Sequence, residues 1–169
     1  MMLCIVRHAV AAPAGHSGDE DDSRRPLTAK GRRKMVRMAR GLQHPGTQFN
    51  LILSSPTLRA TQTASILAET PRLNKGQVIS SEHLSPAGDP ERLIDDINRK
   101  FPVRSNIALV GHGRSLSGLI SLLVSGDLTL RFNLKKGGMC QLSVDQLLCG
   151  RCATLEWLLS PVQLVEIGA

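Results

Sequence analysis

The run Asn106-Ile107-Ala108-Leu109-Val110 is apolar on four successive residues and stops at Gly111. With no polar residue at alternate positions it has no solvent face. As a strand it must be covered on both sides, which is the condition of inner strands in a parallel sheet. Parallel neighbours need crossovers, usually helices, and the rest of the chain supplies them. Leu3–Arg7 is a second strand-like run, followed by a Gly-, Pro- and Asp-rich loop from Ala12 to Pro26. Thr28 is placed to N-cap a helix reaching about Leu42. On its helical wheel Met35, Val36, Met38, Ala39 and Leu42 share one arc, and Lys30, Arg33, Lys34, Arg37 and Arg40 the opposite one. Leu51–Leu53 reads as a strand broken by Ser54-Ser55-Pro56. A helix from about Leu58 to Glu69 follows, with Pro56 suited to its entry. Val78–Ile79 is a short strand, Pro90 to Lys100 a helix, and a further helical segment follows Gly111. Met139–Val144 and Ala153–Leu159 form a closing antiparallel pair with Cys149-Gly150-Arg151-Cys152 at the turn.

This alternation predicts one α/β domain over residues 1–169, a three-layer α/β/α sandwich whose sheet is mostly parallel with an antiparallel C-terminal pair. A chain of 169 residues is long enough for one such core and short for two. The most apolar stretch, Leu116 to Val124, contains Ser117 and Ser121 and is far shorter than the roughly 20 residues of a membrane-spanning helix. The first residues run directly into Arg7 and His8 without an export-signal pattern, so the expected location is cytoplasmic and no membrane partner is expected. The net charge of +7 favours an anionic partner, while three Phe, one Trp and no Tyr leave few stacking platforms for nucleic acid. Four cysteines, Cys4, Cys140, Cys149 and Cys152, are too few and too irregular for a disulfide framework.

In sheets of this kind, chemistry lies beyond the carboxyl ends of the strands. His8 ends the first strand there, and His112 follows the strand at Asn106–Val110. Arg7 stands beside His8, and Arg59 falls in the first turn after Leu51–Leu53. Two imidazoles with two guanidiniums suit a dianion, because guanidinium forks match phosphate oxygens and a helix N-terminus after Gly113 adds donors. A neutral imidazole can attack phosphorus and form a phosphohistidine intermediate.

The contexts of these residues resemble the histidine phosphatase superfamily, the phosphoglycerate-mutase-like fold, and within it the SixA type of phosphohistidine phosphatase. Val6-Arg7-His8-Ala9 is similar to the Arg-His-Gly signature with Ala in place of Gly. Arg25-Pro26-Leu27-Thr28-Ala29-Lys30-Gly31 resembles Arg-Pro-Leu-Thr-x-x-Gly, and Ser55-Pro56-Thr57-Leu58-Arg59-Ala60-Thr61-Gln62-Thr63 resembles Ser-Pro-x-x-Arg-Ala-x-Gln-Thr. Leu84 to Asp89 resembles Leu-x-Pro-x-Gly-Asp, Val110-Gly111-His112 takes the place of the second histidine, and Trp157 to Pro161 echoes the terminal strand. The resemblance implies His8 as nucleophile, His112 as the second catalytic histidine, and Arg7, Arg59 and Arg25 as phosphate-binding residues. It implies no metal and no cofactor. Its substrate would be a phosphorylated protein, such as a histidine-phosphotransfer domain. Where many members carry a proton-donating Glu this chain has His83 preceded by Glu82, which leaves the general acid open among Glu82, His83 and none.

An imidazole leaving group departs more readily than an alkoxide, so a site without the usual Glu suits an N–P bond. The basic helix face is either a solvated stripe or a docking surface for an acidic partner. Other readings are a phosphatase of a small phosphomonoester, such as a sugar phosphate or nucleotide, and a phosphate-recognising module without turnover. A metal hydrolase would need carboxylate or thiolate partners for both histidines, and the acidic run Asp19-Glu20-Asp21-Asp22 reads as isolated in its loop. Gly111-His112-Gly113 matches a dinucleotide fingerprint only in part, and Cys149 and Cys152 read as turn residues rather than a redox or zinc half-site.

Overall fold

A computed structural model of the chain describes residues 1–15, 21–43, 47–102 and 106–169, with the backbone alone at residues 74 and 75. Among these residues, six strands form one sheet: β1 (Met2–Arg7), β2 (Phe49–Ser54), β3 (Asn74–Ser80), β4 (Asn106–Gly111), β5 (Met139–Val144) and β6 (Ala153–Leu159). Their order across the sheet is β3-β2-β4-β1-β5-β6. β3, β2, β4 and β1 run parallel, whereas β5 and β6 are antiparallel to their neighbours. The five α-helices are α1 (Ala29–Gly41), α2 (Leu58–Glu69), α3 (Pro90–Lys100), α4 (Gly113–Ser125) and α5 (Pro161–Ile167).

The alternation of side chains along β1 splits the core in two. Leu3 and Ile5 pack with Leu109 of β4, with Leu93 and Ile97 of α3, and with Leu116 and Leu119 of α4. Cys4 and Val6 face the other way, toward Met35 and Met38 of α1, Ala64 and Leu67 of α2, and Leu164 of α5. This gives the three-layer α/β/α arrangement with the expected antiparallel C-terminal pair. Thr28 caps α1, its Oγ1 accepting from the Gly31 N–H at 2.9 Å. The apolar arc of α1 is buried at Met35, Met38, Ala39 and Leu42, while Val36 is only half-buried. Lys30, Arg33, Arg37 and Arg40 are exposed.

Several elements depart from the sequence reading, among them β2, which runs over Phe49–Ser54 rather than Leu51–Leu53, and a 3₁₀ turn at Asp22–Arg24 within the expected loop. β3 spans seven residues rather than the expected Val78–Ile79. It is an edge strand, and its first four residues, Asn74-Lys75-Gly76-Gln77, carry no apolar signal. A 3₁₀ turn at Glu82–Leu84 was not anticipated. Nor was α5, which is too short to show a helical period; its sign was the capping box formed by Ser160 and Gln163, with Pro161 in the first turn. The expected turn at Cys149–Cys152 is present, and the Cys152 thiol exchanges hydrogen bonds with the Leu148 backbone at 3.3 and 3.4 Å. Cys4 and Cys140 are buried and all four cysteines are free. Among the described residues no helix is long and apolar enough to cross a membrane.

The central position of β1 predicts unequal sensitivity to truncation. Ile5 is fully buried, so Ile5→Ala should cost about 2–5 kcal/mol through lost burial and a residual cavity. Leu158, 40% exposed on the edge strand β6, should cost less than about 1 kcal/mol on truncation. Urea denaturation of both variants measures this, and equal losses would contradict the assigned positions.

Candidate active site

The β1–β4 register pairs Arg7 with Gly111, so the next residue of each strand, His8 and His112, emerges side by side at the carboxyl edge. Their ring centroids lie 5.0 Å apart with the planes tilted by 59°. Both side chains are buried, each 6% exposed. The Nδ1 of His8 is 2.8 Å from the Ala9 carbonyl oxygen. A carbonyl can only accept, so Nδ1 carries the proton and donates, and Nε2 keeps its lone pair. The Nδ1 of His112 lies 3.5 Å from Arg59 Nη2, which can only donate; its Nε2 lies 3.0 Å from Ser55 Oγ and 3.1 Å from Thr57 Oγ1. In the neutral ring the proton therefore sits on Nε2, facing the two hydroxyls.

Burial is the first cause that holds both imidazoles uncharged, lowering the His8 pKa to about 3 and that of His112 to about 4. For His8 the bond to Ala9 opposes this, while His112, Arg59 and Arg7 add to it. For His112 the guanidinium of Arg59 adds to the lowering and the Asp22 carboxylate opposes it.

Each arginine is set by backbone contacts. Arg7 Nη1 donates to the Leu134 carbonyl at 2.8 Å, from the loop between α4 and β5. That loop is tied down where Gly137, with φ of +81°, donates its N–H to the carbonyls of Arg7 and His8, each at 3.1 Å. Gly113 leaves Arg7 the space it occupies, because a Cβ there would lie 2.8 Å from Arg7 Cζ. Arg59, 3% exposed, donates through Nη1 to the Asp22 carbonyl at 2.5 Å and through Nη2 to Asp22 Oδ2 at 2.8 Å. Arg25 reaches the same carboxylate, Nη2 to Oδ1 at 2.6 Å, and donates Nη1 to the Ala12 carbonyl at 3.0 Å. Among the described residues, the buried Nε atoms of Arg7, Arg25 and Arg59 find no hydrogen-bond partner. Since α4 starts at Gly113, its positive N-terminal end also falls at this edge. The arrangement is a buried, cationic cluster with spare N–H donors and two unprotonated imidazole nitrogens, His8 Nε2 and His112 Nδ1, suited to a tetrahedral oxyanion.

The structure thus brings His8, His112, Arg7, Arg59 and Arg25 to one edge of the sheet. Glu82 and His83 share one cleft, with Ser81 and Asp96, but only Glu82 also reaches the cleft that Asp22 lines. Glu82 lines a cleft of about 380 Å³ with Asp22, Ser23, Pro56, Thr57, Ser85 and Pro86, whereas His83 turns toward Asp96, with its Nε2 3.8 Å from the carboxylate. The reading of the acidic run as isolated is corrected. Asp22 is ion-paired to Arg25 and Arg59, and Asp21 caps the 3₁₀ turn at Asp22–Arg24; Asp19 and Glu20 lie outside the described residues. The chain-neighbour Arg25 was the only available signal for Asp22. Sequence reasoning also missed Ser55 and Thr57 as partners of His112. It missed Thr63 too, whose Oγ1 accepts from the Ala9 N–H at 3.1 Å and donates to the Arg59 carbonyl at 2.7 Å, latching β1 to α2.

The sequence profile of the histidine phosphatase superfamily (branch 1) matches residues 3–85. An uncharacterized protein of Picosynechococcus sp. strain PCC 7002 is 34% identical over 140 residues, covering 82% of each chain. The structure is similar to that of the protein histidine phosphatase SixA complexed with tungstate, with a TM-score of 0.82 at 25% identity over 97% of this chain and 99% of that one. It shares its fold with an alpha-ribazole phosphatase from Shigella flexneri, with a TM-score of 0.72 at 20% identity over 95% and 97% of the two chains.

Two outcomes follow from the site geometry. The Cβ of Gly113→Ala would meet only the movable end of Arg7, so this variant should keep its melting temperature within a few degrees while any reaction that uses Arg7 slows tenfold or more. A parallel loss of stability would show that Gly113 serves the fold instead. The two histidines also make stability pH-dependent. Their folded pKa values lie below the unfolded value near 6.5, so the unfolded chain binds more protons and stability falls as the pH drops through that value toward about 4. Between pH 6.5 and 5 the loss should approach roughly 2 kcal/mol per histidine, and His112→Asn should remove part of that slope in denaturant titrations.

Proposed function

The chain belongs to the histidine phosphatase superfamily, and from that membership we propose that it hydrolyses phosphohistidine on a protein without a metal ion or cofactor. The observation that carries this reading is the fixed tautomer of His8, whose Nδ1–H is held by the Ala9 carbonyl, leaving the Nε2 lone pair free on a ring that feels the charges of Arg59 and Arg7. His8 Nε2 attacks phosphorus while the bond from phosphorus to the substrate imidazole breaks. Arg7, Arg59 and Arg25 hold the phosphoryl oxygens. The dianion favours a protonated His112, whose Nδ1 then donates to it. The departing imidazole takes a proton from solvent or from Glu82 in the adjoining cleft. Water then attacks phospho-His8, releasing inorganic phosphate and restoring the neutral ring. The similarity to SixA, which was solved with tungstate, itself a tetrahedral oxyanion, supports oxyanion binding by this fold.

A protein-borne substrate is supported by the exposed basic groups Lys30, Arg33 and Arg37 on α1, joined by half-exposed Lys34, which offer an acidic partner an electrostatic landing surface. One observation favours a second reading. With Glu82 in the cleft, a carboxylic acid is available to an alkoxide leaving group, as a small phosphomonoester requires.

Rapid-quench labelling should give an acid-labile, base-stable phosphoryl adduct on the protein that His8→Ala lacks. Near-normal turnover by His8→Ala would overturn the mechanism. Purified protein should turn over a phosphohistidine-phosphotransfer domain with higher kcat/KM than sugar phosphates or nucleotides. Reversing Arg33 and Arg37 should raise KM for the protein substrate alone, an effect that fades with salt. Preference for a small phosphomonoester would select the second reading.

A further inference from the structure

We propose that Asp22 is a positioning residue and fixed counter-charge of the phosphoryl pocket, tying Arg25 to Arg59 and remaining in place when substrate enters; this rests on the phosphatase reading above. The carboxylate sits among the groups that are to hold a phosphoryl dianion, so it is either a plug that substrate must displace or a permanent part of the wall. Three observations decide for the wall.

The contacts come first. Both carboxylate oxygens are used, Oδ1 by Arg25 and Oδ2 by Arg59, and the main-chain carbonyl of the same residue takes the second Nη of Arg59. Withdrawing Asp22 would strip the described partners from both terminal nitrogens of a guanidinium that is 3% exposed, apart from the 3.5 Å contact to His112. A buried cation without its counter-ion is among the costlier arrangements in a protein.

The second observation is what Asp22 leaves over. It engages the terminal nitrogens, while the buried Nε–H groups of Arg25 and Arg59 find no partner among the described residues. The two side chains are therefore fixed from one edge with donors free on another, so an oxyanion can bind without competing for the donors Asp22 holds.

The third is charge. Arg7, Arg25 and Arg59 contribute three positive charges, and both histidines are neutral in the substrate-free protein. With Asp22 retained the substrate-free pocket carries two, so the carboxylate lowers its attraction for an anion by one full charge. Without it the excess charge would hold product phosphate more tightly than turnover tolerates.

The test compares wild type with Asp22→Asn, which keeps the shape and removes the charge, and with Asp22→Ala, which removes both. Inorganic phosphate binding is read by calorimetry at low and high salt, and hydrolysis with a chromogenic phosphate. Asp22→Asn should bind phosphate at least threefold more tightly at low salt, with the gain shrinking at high salt, a change that a purely structural role would not produce. Asp22→Ala should lose tenfold or more in kcat/KM while its circular dichroism is unchanged. Unchanged or weaker phosphate binding by Asp22→Asn overturns the counter-charge, and a rise in kcat/KM in either variant shows a plug instead. If Asp22→Ala does not fold, the phosphate affinity of Asp22→Asn still decides. Because calorimetry needs no turnover, a wild-type protein that binds phosphate but hydrolyses nothing overturns the phosphatase reading alone.

Discussion

Pairing of Arg7 with Gly111 across β1 and β4 places the following residue of each strand at the same height above the sheet. Side chains alternate faces along a strand, so a slip of one residue would send His8 and His112 to different sides. The register is held by burial: Leu3 and Ile5 must enter one core and Cys4 and Val6 the other, and a one-residue shift would reverse both. Backbone bonds continue it past the strand ends, from His8 N–H to the Gly111 carbonyl at 3.0 Å and from Ser55 N–H to the Val110 carbonyl at 2.9 Å. These bonds bring the segments bearing His8, His112 and the Ser55 motif to one edge.

Enclosing positive charge in such an edge has a cost that the structure meets in two ways. The histidines give up their protons, since burial and the neighbouring guanidiniums both disfavour imidazolium. The arginines cannot do so, and instead lean on carbonyls of Leu134, Ala12 and Asp22 and on the Asp22 carboxylate. What is left is a preorganised cationic site with unsatisfied donors and an imidazole nitrogen whose lone pair is free without a base to take its proton. Both features are what the proposed phosphoryl transfer requires.

Much of this was legible in order along the chain. The buried strands announce themselves as apolar runs, α1 as an amphipathic arc behind Thr28, and the segment carrying Arg59 as the family-like motif Ser55 to Thr63. Elements with weak periodicity were not legible. The start of β3 is polar because it lies on an edge, and α5 is seven residues long with only its capping box to mark it. Asp22 was hidden by its neighbours, because within an acidic run only Arg25, three residues on, hints at which carboxylate is paired.

The sequence by itself determined the layered α/β architecture and the residue types at the strand ends, because hydrophobic periodicity and strand-terminal position are local properties. Only the tertiary structure decided which nitrogen of His8 is free, that Glu82 rather than His83 reaches the cleft that Asp22 lines, and that Asp22 joins Arg25 to Arg59. Those facts depend on distances between groups far apart in the chain: Asp22 and Arg59 are separated by 37 residues, and Ser55 and His112 by 57. A hydrogen bond is directional and short, so its existence is fixed by packing to a fraction of an ångström, which residue order alone does not encode.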